Sequence, residues 1–177
     1  AIPAVARTTE ASFVGSIYGV HTTRLKLLER VAAAVPGLVV HGNVTIPLTA
    51  GSALKSRIEP ALWGREMFRL LRASKITLNH HGDVLPFANN MRLYEATGLG
   101  CLLVTDDKDN LVEMFEPGRE VVAYKDEEEC VDKVRYYLDP RHDSEREAIA
   151  AAGRERTLRE HTYRNRMREV VRLVEAL

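Results

Sequence analysis

The stretch with the most chemistry runs from residue 79 to 100, Asn-His-His-Gly-Asp-Val-Leu-Pro-Phe-Ala-Asn-Asn-Met-Arg-Leu-Tyr-Glu-Ala-Thr-Gly-Leu-Gly. It leaves a strand-like patch, crosses a polar loop and enters a helix. Asn89 or Asn90 suits the N-cap of that helix. The free amides of its first turn then face whatever lies above the strand ends, a setting that favours phosphate. Arg92 and Glu95 are three apart and share one helix face. The planar fork of Arg92 matches phosphate oxygens, and Glu95 can accept hydrogen bonds from sugar hydroxyls. The plainer alternative is a surface Arg–Glu pair on a capped helix, worth little, and spacing alone favours it. His80 and His81 suit either a diphosphate or sugar contact or a metal-free loop pair. No carboxylate or cysteine stands at ligand spacing from them, so no metal site is expected. Asp83 fits a turn beside Gly82 better than a sugar contact. Asp106-Asp107 reads as a polar loop after a strand. His161 reads as a packing residue of the terminal helices, and Trp63, Met67 and Tyr94 as core.

The elements that must position these residues alternate between strand and helix. Residues 12–18 form a short apolar run closed by Gly19. Leu25, Leu28, Ala32 and Val35 make a helical stripe, stopped by Pro36-Gly37. Leu38–His41 is a second strand, and a third is expected near Leu54–Ile58. Pro60 opens a helix with Trp63, Met67, Leu70 and Leu71 on its apolar face. Lys75–Asn79 is a fourth strand, followed by the loop and a helix over 90–97. Cys101–Thr105 is apolar nearly throughout, as in a strand covered on both faces. Asn110 with Glu113, and Asp126 with Glu129, are capping-box signatures on either side of a sixth strand at Glu120–Tyr124. Two helices close the chain, from Ser144 to about His161 and from Tyr163 to Leu177. The second carries Met167, Val170, Val171, Val174 and Leu177 in one stripe, which either packs back on the sheet or docks on a neighbour. Strands separated by helices of this length imply right-handed crossovers. The expected fold is a doubly wound, mostly parallel Rossmann-like sheet of about six strands.

Composition narrows the function classes. The 177 residues carry 25 basic and 25 acidic side chains, which removes the basic footprint expected of a non-specific nucleic-acid binder or an anionic-membrane binder. No apolar run approaches a membrane span. The N-terminus has neither a Met nor a signal-peptide layout and reads as a cut from a longer chain. Cys101 and Cys130 read as free thiols in a reducing cytoplasm. There is no G-x-G-x-x-G after the first strand and no G-x-x-x-x-G-K-[ST], which argues against a plain NAD-binding half and a P-loop NTPase. No H-E-x-x-H and no G-x-S-x-G appear.

Phe13-Val14-Gly15-Ser16, Pro60, Gly64-Arg65-Glu66-Met67, Ser74-Lys75-Ile76 and Asn79 open a longer pattern. Asn90-Met91-Arg92-Leu93-Tyr94-Glu95-Ala96 with Gly100 continues it. Leu111, Phe115, Gly118, Glu120, Tyr136-Tyr137-Leu138, Ala150, Gly153, His161-Thr162-Tyr163 and Arg166 follow in order. Taken together these resemble the C-terminal half of group 1 glycosyltransferases, closest to the spore-maturation-protein-like branch. The resemblance spans nearly the whole chain. It implies one half of a GT-B fold, a single nucleotide-sugar-binding domain over 1–177 with the helical pair 144–177 at its end. The activity implied is transfer of a hexose-type sugar from a nucleoside diphosphate, with retention of configuration, by a cytoplasmic enzyme. An N-terminal acceptor domain would be its partner, the isolated chain would be inactive, and no cofactor or metal would be needed. Carried over by position, Glu95 would bind the donor ribose, and Arg92 and Asn90 would face the diphosphate. The Gly15-Ser16 turn would admit the phosphates, with Arg24 as basic partner and His80 in the cleft. Arg57, Pro60 and Leu62 would lie on the base side. Two positions depart from the pattern: Phe87 stands where the wider family has a first glutamate, and Ser16 where it tends to have a basic residue. The competing reading is a non-catalytic nucleotide-sugar-binding or assembly module.

Overall fold

A computed structural model describes residues 5–82 and 86–176. Asp83, the expected turn residue, lies outside the described residues. The strands are β1 (Thr9–Val14), β2 (Leu38–His41), β3 (Ile58–Glu59), β4 (Ser74–Leu78), β5 (Leu102–Asp106) and β6 (Val122–Tyr124). The helices are α1 (Thr22–Ala34), α2 (Gly64–Ala73), α3 (Met91–Gly98), α4 (Leu111–Met114), α5 (Glu127–Leu138), α6 (Asp143–Glu160) and α7 (Tyr163–Glu175). The sheet has the order β3-β2-β1-β4-β5-β6, and every neighbouring pair is parallel.

Alternation along each strand builds the two faces of the sheet. Ala11 and Phe13 of β1, Leu102 and Val104 of β5, and Leu27, Leu28 and Val31 of α1 join Cys130 and Val134 of α5 in the larger core. On the other face Val14 packs with Met67 and Leu71 of α2, and Leu103 packs with Leu93 and Ala96 of α3. All five residues of β5 are buried, the apolar Leu102, Leu103 and Val104 together with Thr105 and Asp106. Both cysteines are free and buried.

Several boundaries differ from the expectation. The first strand ends at Val14 rather than at residue 18, and Ile17 returns to the sheet only as an isolated bridge to Val44. Residues Ala53–Arg57 form a 3-10 turn whose Leu54 amide donates to the Ser52 hydroxyl; only Ile58 and Glu59 pair with β2. Helix α2 starts at Gly64, whose positive φ of 54° sets the corner, so Pro60 does not open it. Trp63, before that corner, is 72% exposed and no core residue. Asn110 does not cap α4. Its amide bridges Ala88 instead, accepting from the backbone N–H and donating to the carbonyl. No residue of α7 is buried, so Met167, Val170, Val171 and Val174 do not pack back on the sheet; Leu177, the last of the stripe, lies outside the described residues.

Candidate functional site

The chain winds outward from β1 to β3, returns to the centre and winds outward again from β4 to β6. The order reverses between β1 and β4, and loops leaving a parallel sheet at such a point diverge and open a crevice at the strands' carboxyl ends. The walls here are the turn after β1, the loop after β4 and the start of α3.

Backbone hydrogen bonds set the path of the turn after β1. The Gly15 amide donates to the His41 carbonyl at 3.0 Å, and the Ile17 amide to that of Asn43 at 2.9 Å. This close approach requires a glycine at position 42: a Cβ there would overlap the Gly15 carbonyl oxygen. Arg24, projecting from α1, donates to the Ser16 carbonyl and the His80 carbonyl, each at 2.8 Å, and so ties the two loops together.

Helix α3 is capped by Asn90, whose side chain accepts from the Leu93 amide and donates to the Asn79 side chain at 2.8 Å. Asn79 in turn donates to the Thr105 hydroxyl at 3.0 Å. The helix start is therefore fastened to the ends of β4 and β5. Arg92 lies one residue into the helix and turns inward. Its Nη1 meets Glu95 Oε2 at 2.8 Å, its Nη2 the Val14 carbonyl at 3.2 Å, and both lie 3.3 Å from the Met67 sulfur. The two side chains are 13% and 16% exposed, so the surface-pair alternative does not hold. Burial makes the Arg92 charge less favourable than in water, and Glu95 opposes that shift. Glu95 Oε1 makes no hydrogen bond among the described residues, and Glu95 lines a cleft of about 550 Å³ between α3 and the α6–α7 corner. His161 sits across this cleft, its Nε2 on the Met114 carbonyl and its ring against Tyr94 and Phe115.

Beneath the crevice lies a polar cluster that the sequence reading missed. Asp106, the last residue of β5, accepts from His81 Nδ1 at 2.6 Å and from the His81 amide at 3.0 Å. Lys108 Nζ and His80 Nδ1 each stand 3.5 Å from its Oδ2. Asp106 is thus a buried hub and no loop residue. Burial alone would raise its carboxyl pKa, but the hydrogen bond and charge of His81, then the charge of His80, outweigh this and hold it below the usual range. The ring of His80 also meets Thr23 Oγ1 at 3.0 Å and the Tyr124 hydroxyl at 3.3 Å, so it is turned into the body. The available signal was positional: Asn79 and Asp106 each stand where an apolar strand ends, the place where buried polar groups meet in this topology.

On the far side of β1, the Pro60 carbonyl meets His41 Nδ1 at 2.8 Å, and Leu62 packs with Val14 and Met67. Arg57 is partly buried at the end of the 3-10 turn. Of the residues assigned by the resemblance, Gly15, Ser16, Arg24, His80 and Asn90 stand at the carboxyl ends of β1 and β4, Arg92 and Glu95 follow on α3, and Arg57, Pro60 and Leu62 flank β3. Among the described residues no three His, Cys, Asp or Glu side chains converge as metal ligands, and no helix is long and apolar enough to cross a membrane.

A family model described as glycosyl transferase-like matches residues 24–172. No curated protein shows significant sequence similarity to the chain. Among solved structures, Anabaena Alr3699/HepE in complex with UDP superposes with a TM-score of 0.76 at 12% identity, over 94% of this chain and 48% of that one. A glycosyltransferase from Rickettsia africae gives 0.73 at 13% identity, over 92% and 46%. The C-terminal domain of the group 1 glycosyl transferase LpcC from Francisella tularensis gives 0.61 at 13% identity, over 86% of each chain. The chain therefore spans about half the length of the first two, and identities this low speak for a shared fold alone.

Proposed function

Because this chain belongs to the glycosyl transferase-like family, we propose that it is the donor-binding half of a GT-B sugar transferase, in the branch resembling the spore-maturation proteins. The observation that carries this reading is that Arg92, paired with Glu95 on the Asn90-capped helix α3, reaches the Val14 carbonyl beside the Gly15–Ser16 turn. A nucleoside diphosphate fits those groups in order. Its phosphates lie against the turn and the free amides of α3. Its ribose hydroxyls reach the open Oε1 of Glu95. Its base lies toward Arg57, Pro60 and Leu62. Arg24 and His80 position the two loops through their contacts beneath the crevice. UDP and UDP-glucose are bound by HepE, so uridine is the first base to try.

In the transfer, the bond from the anomeric carbon to the phosphate oxygen breaks and the acceptor hydroxyl oxygen bonds to that carbon. The diphosphate leaves with the electron pair, and charge builds on its terminal phosphate. Amides fixed by the Asn90 cap, and the Arg92 charge behind them, stabilise that oxygen without reorganising. The acceptor and the group that takes its proton belong to an N-terminal half, so this chain alone is inactive. The sugar is of hexose type, its configuration is retained, no metal takes part, and the setting is cytoplasmic. Phe87, 54% exposed where the wider family has a glutamate, favours a second reading in which the site binds the nucleotide sugar without turnover.

A thermal-shift series with UDP, GDP, ADP and dTDP, their sugar forms and the matching nucleosides tests the proposal. Ligand at a hundred times its dissociation constant adds about 2.7 kcal/mol, or about 5–10 °C for a domain of this size. One diphosphate should shift the melting point, its nucleoside should do so far less, and Glu95→Gln should remove most of the shift. No shift with any nucleotide, or an unchanged one in Glu95→Gln, overturns the donor site. Sugar transfer by a chain that includes the N-terminal half separates the two readings.

A further inference from the structure

The opposite end of the sheet holds a second cavity, of about 560 Å³, where β1 and β4 begin and α6 crosses them. That volume is in the range of small-molecule sites. Its lining is strongly basic: Arg7, Arg72, Lys75, Arg146 and Arg154 face it, against two carboxylates, Asp143 and Glu147. Both acids are directed at one partner. Asp143 is bonded to the buried Arg146, and Glu147 lies 3.9 Å from its other terminal nitrogen. The remaining four cations form no ion pair with a carboxylate among the described residues, although the charge of Glu147 also reaches Arg7.

Two of those four are anchored by the ends of helices. Arg7 donates to the carbonyls of Arg72, Ser74, Leu99 and Gly100, and Arg72 donates to that of Leu99 at 2.8 Å. These carbonyls close α2 and α3, where the helix dipole favours a cation. The other two, Lys75 and Arg154, make no hydrogen bond or ion pair among the described residues. The cations are also crowded. Gly100 has a φ of 71°, and a Cβ built on it would stand 3.2 Å from Arg154 Cδ, 3.3 Å from Arg7 Nη2 and 4.0 Å from Arg72 Nη1. Three arginines therefore meet at one backbone position. Burial, with the charges of Arg72 and Arg146, makes the Arg7 charge less favourable than in water.

We propose that this cavity is a second ligand site, separate from the donor crevice, for a small phosphate ester. An anion there would relieve repulsion among fixed cations. The free guanidinium of Arg154 offers a planar fork for phosphate oxygens, and Lys75 adds a compact point charge. The concavity suits a small molecule, and the excess of cations excludes a neutral or cationic one. The site rests on none of the residues assigned to nucleotide binding, so it stands or falls independently of them.

Isothermal titration of the chain with glycerol 3-phosphate, at constant ionic strength, tests this, with citrate and acetate as comparison anions. The phosphate ester should bind at one site, and Lys75→Gln and Arg154→Gln should each weaken it at least tenfold. Neither variant should lower the melting temperature without ligand, because each removes a repelling charge. Absence of binding overturns the proposal. So does binding undiminished in the Lys75→Gln/Arg154→Gln double variant, which would put the anion in the donor crevice, or equal binding of citrate, which would deny the phosphate class.

Discussion

An Arg and a Glu three apart on an exposed helix contribute a few tenths of a kcal/mol. Arg92 and Glu95 are a different case because Arg92 also holds the Val14 carbonyl and lies on Met67. Removing it leaves a mostly buried carboxylate and a strand-end carbonyl without their donor. Arg92→Ala should therefore lower stability by about 2–4 kcal/mol, read as a shift in urea midpoint at pH 7 with the slope unchanged. A loss under 0.5 kcal/mol would return the pair to the surface class. His161 gives a pH prediction. Its burial beside Tyr94 and Phe115 lowers its pKa; the Met114 carbonyl pulls the other way, and Arg166 and Arg156 push it further down. Below about pH 6.5 the unfolded histidine takes a proton that the folded one resists. Stability is thus full above that value and falls as the pH drops through it. The melting temperature should decline between pH 7 and 5.5, and His161→Asn should flatten the decline. Some slope should remain, since burial lowers His21 as well.

Elements show where local signals act and where they are overridden. Asn110 with Glu113 and Asp126 with Glu129 are the same signature. Asp126 does accept from the Glu129 amide at 2.8 Å, while Glu129 reaches back to the Lys125 amide. Asn110 is taken instead by Ala88, twenty-two residues away, because that loop's buried amide and carbonyl need partners. The turn after β1 shows the same dependence. Gly15-Ser16 is legible as a turn, yet its path is fixed by Gly42 of the neighbouring strand end. Gly42→Ala should displace that turn, cost about 1–3 kcal/mol, and weaken nucleotide binding more than it weakens the fold elsewhere. Wild-type affinity in a folded Gly42→Ala chain would show that the turn does not meet the phosphates.

At the scale of the molecule, α7 meets the body through Arg166, which donates to the Tyr94 hydroxyl at 3.1 Å, yet buries none of its residues. Val170, Val171, Leu173 and Val174 are all largely exposed, whereas Leu103 of β5 is fully buried between the sheet and α3. Val174→Ser should change the unfolding free energy by no more than about 0.5 kcal/mol, and Leu103→Ala should cost about 2–5 kcal/mol. Equal losses in denaturant unfolding would mean that α7 belongs to the core. The sequence by itself determined the alternation of strands and helices, the covered β5, a cap at Asn89 or Asn90 and the free cysteines, because propensity, periodicity and capping act within three or four residues, and the order of motifs along the chain gave the family. Tertiary structure alone decided the rest. It drew Arg92 under β1, made Asp106 the partner of two histidines, sent Asn110 to a distant loop, and gathered Arg7, Arg72 and Arg154 about Gly100. Charge pairing and burial depend on which residues a crossover brings together, and a parallel sheet sets that through strand order and register, which no short window of sequence contains.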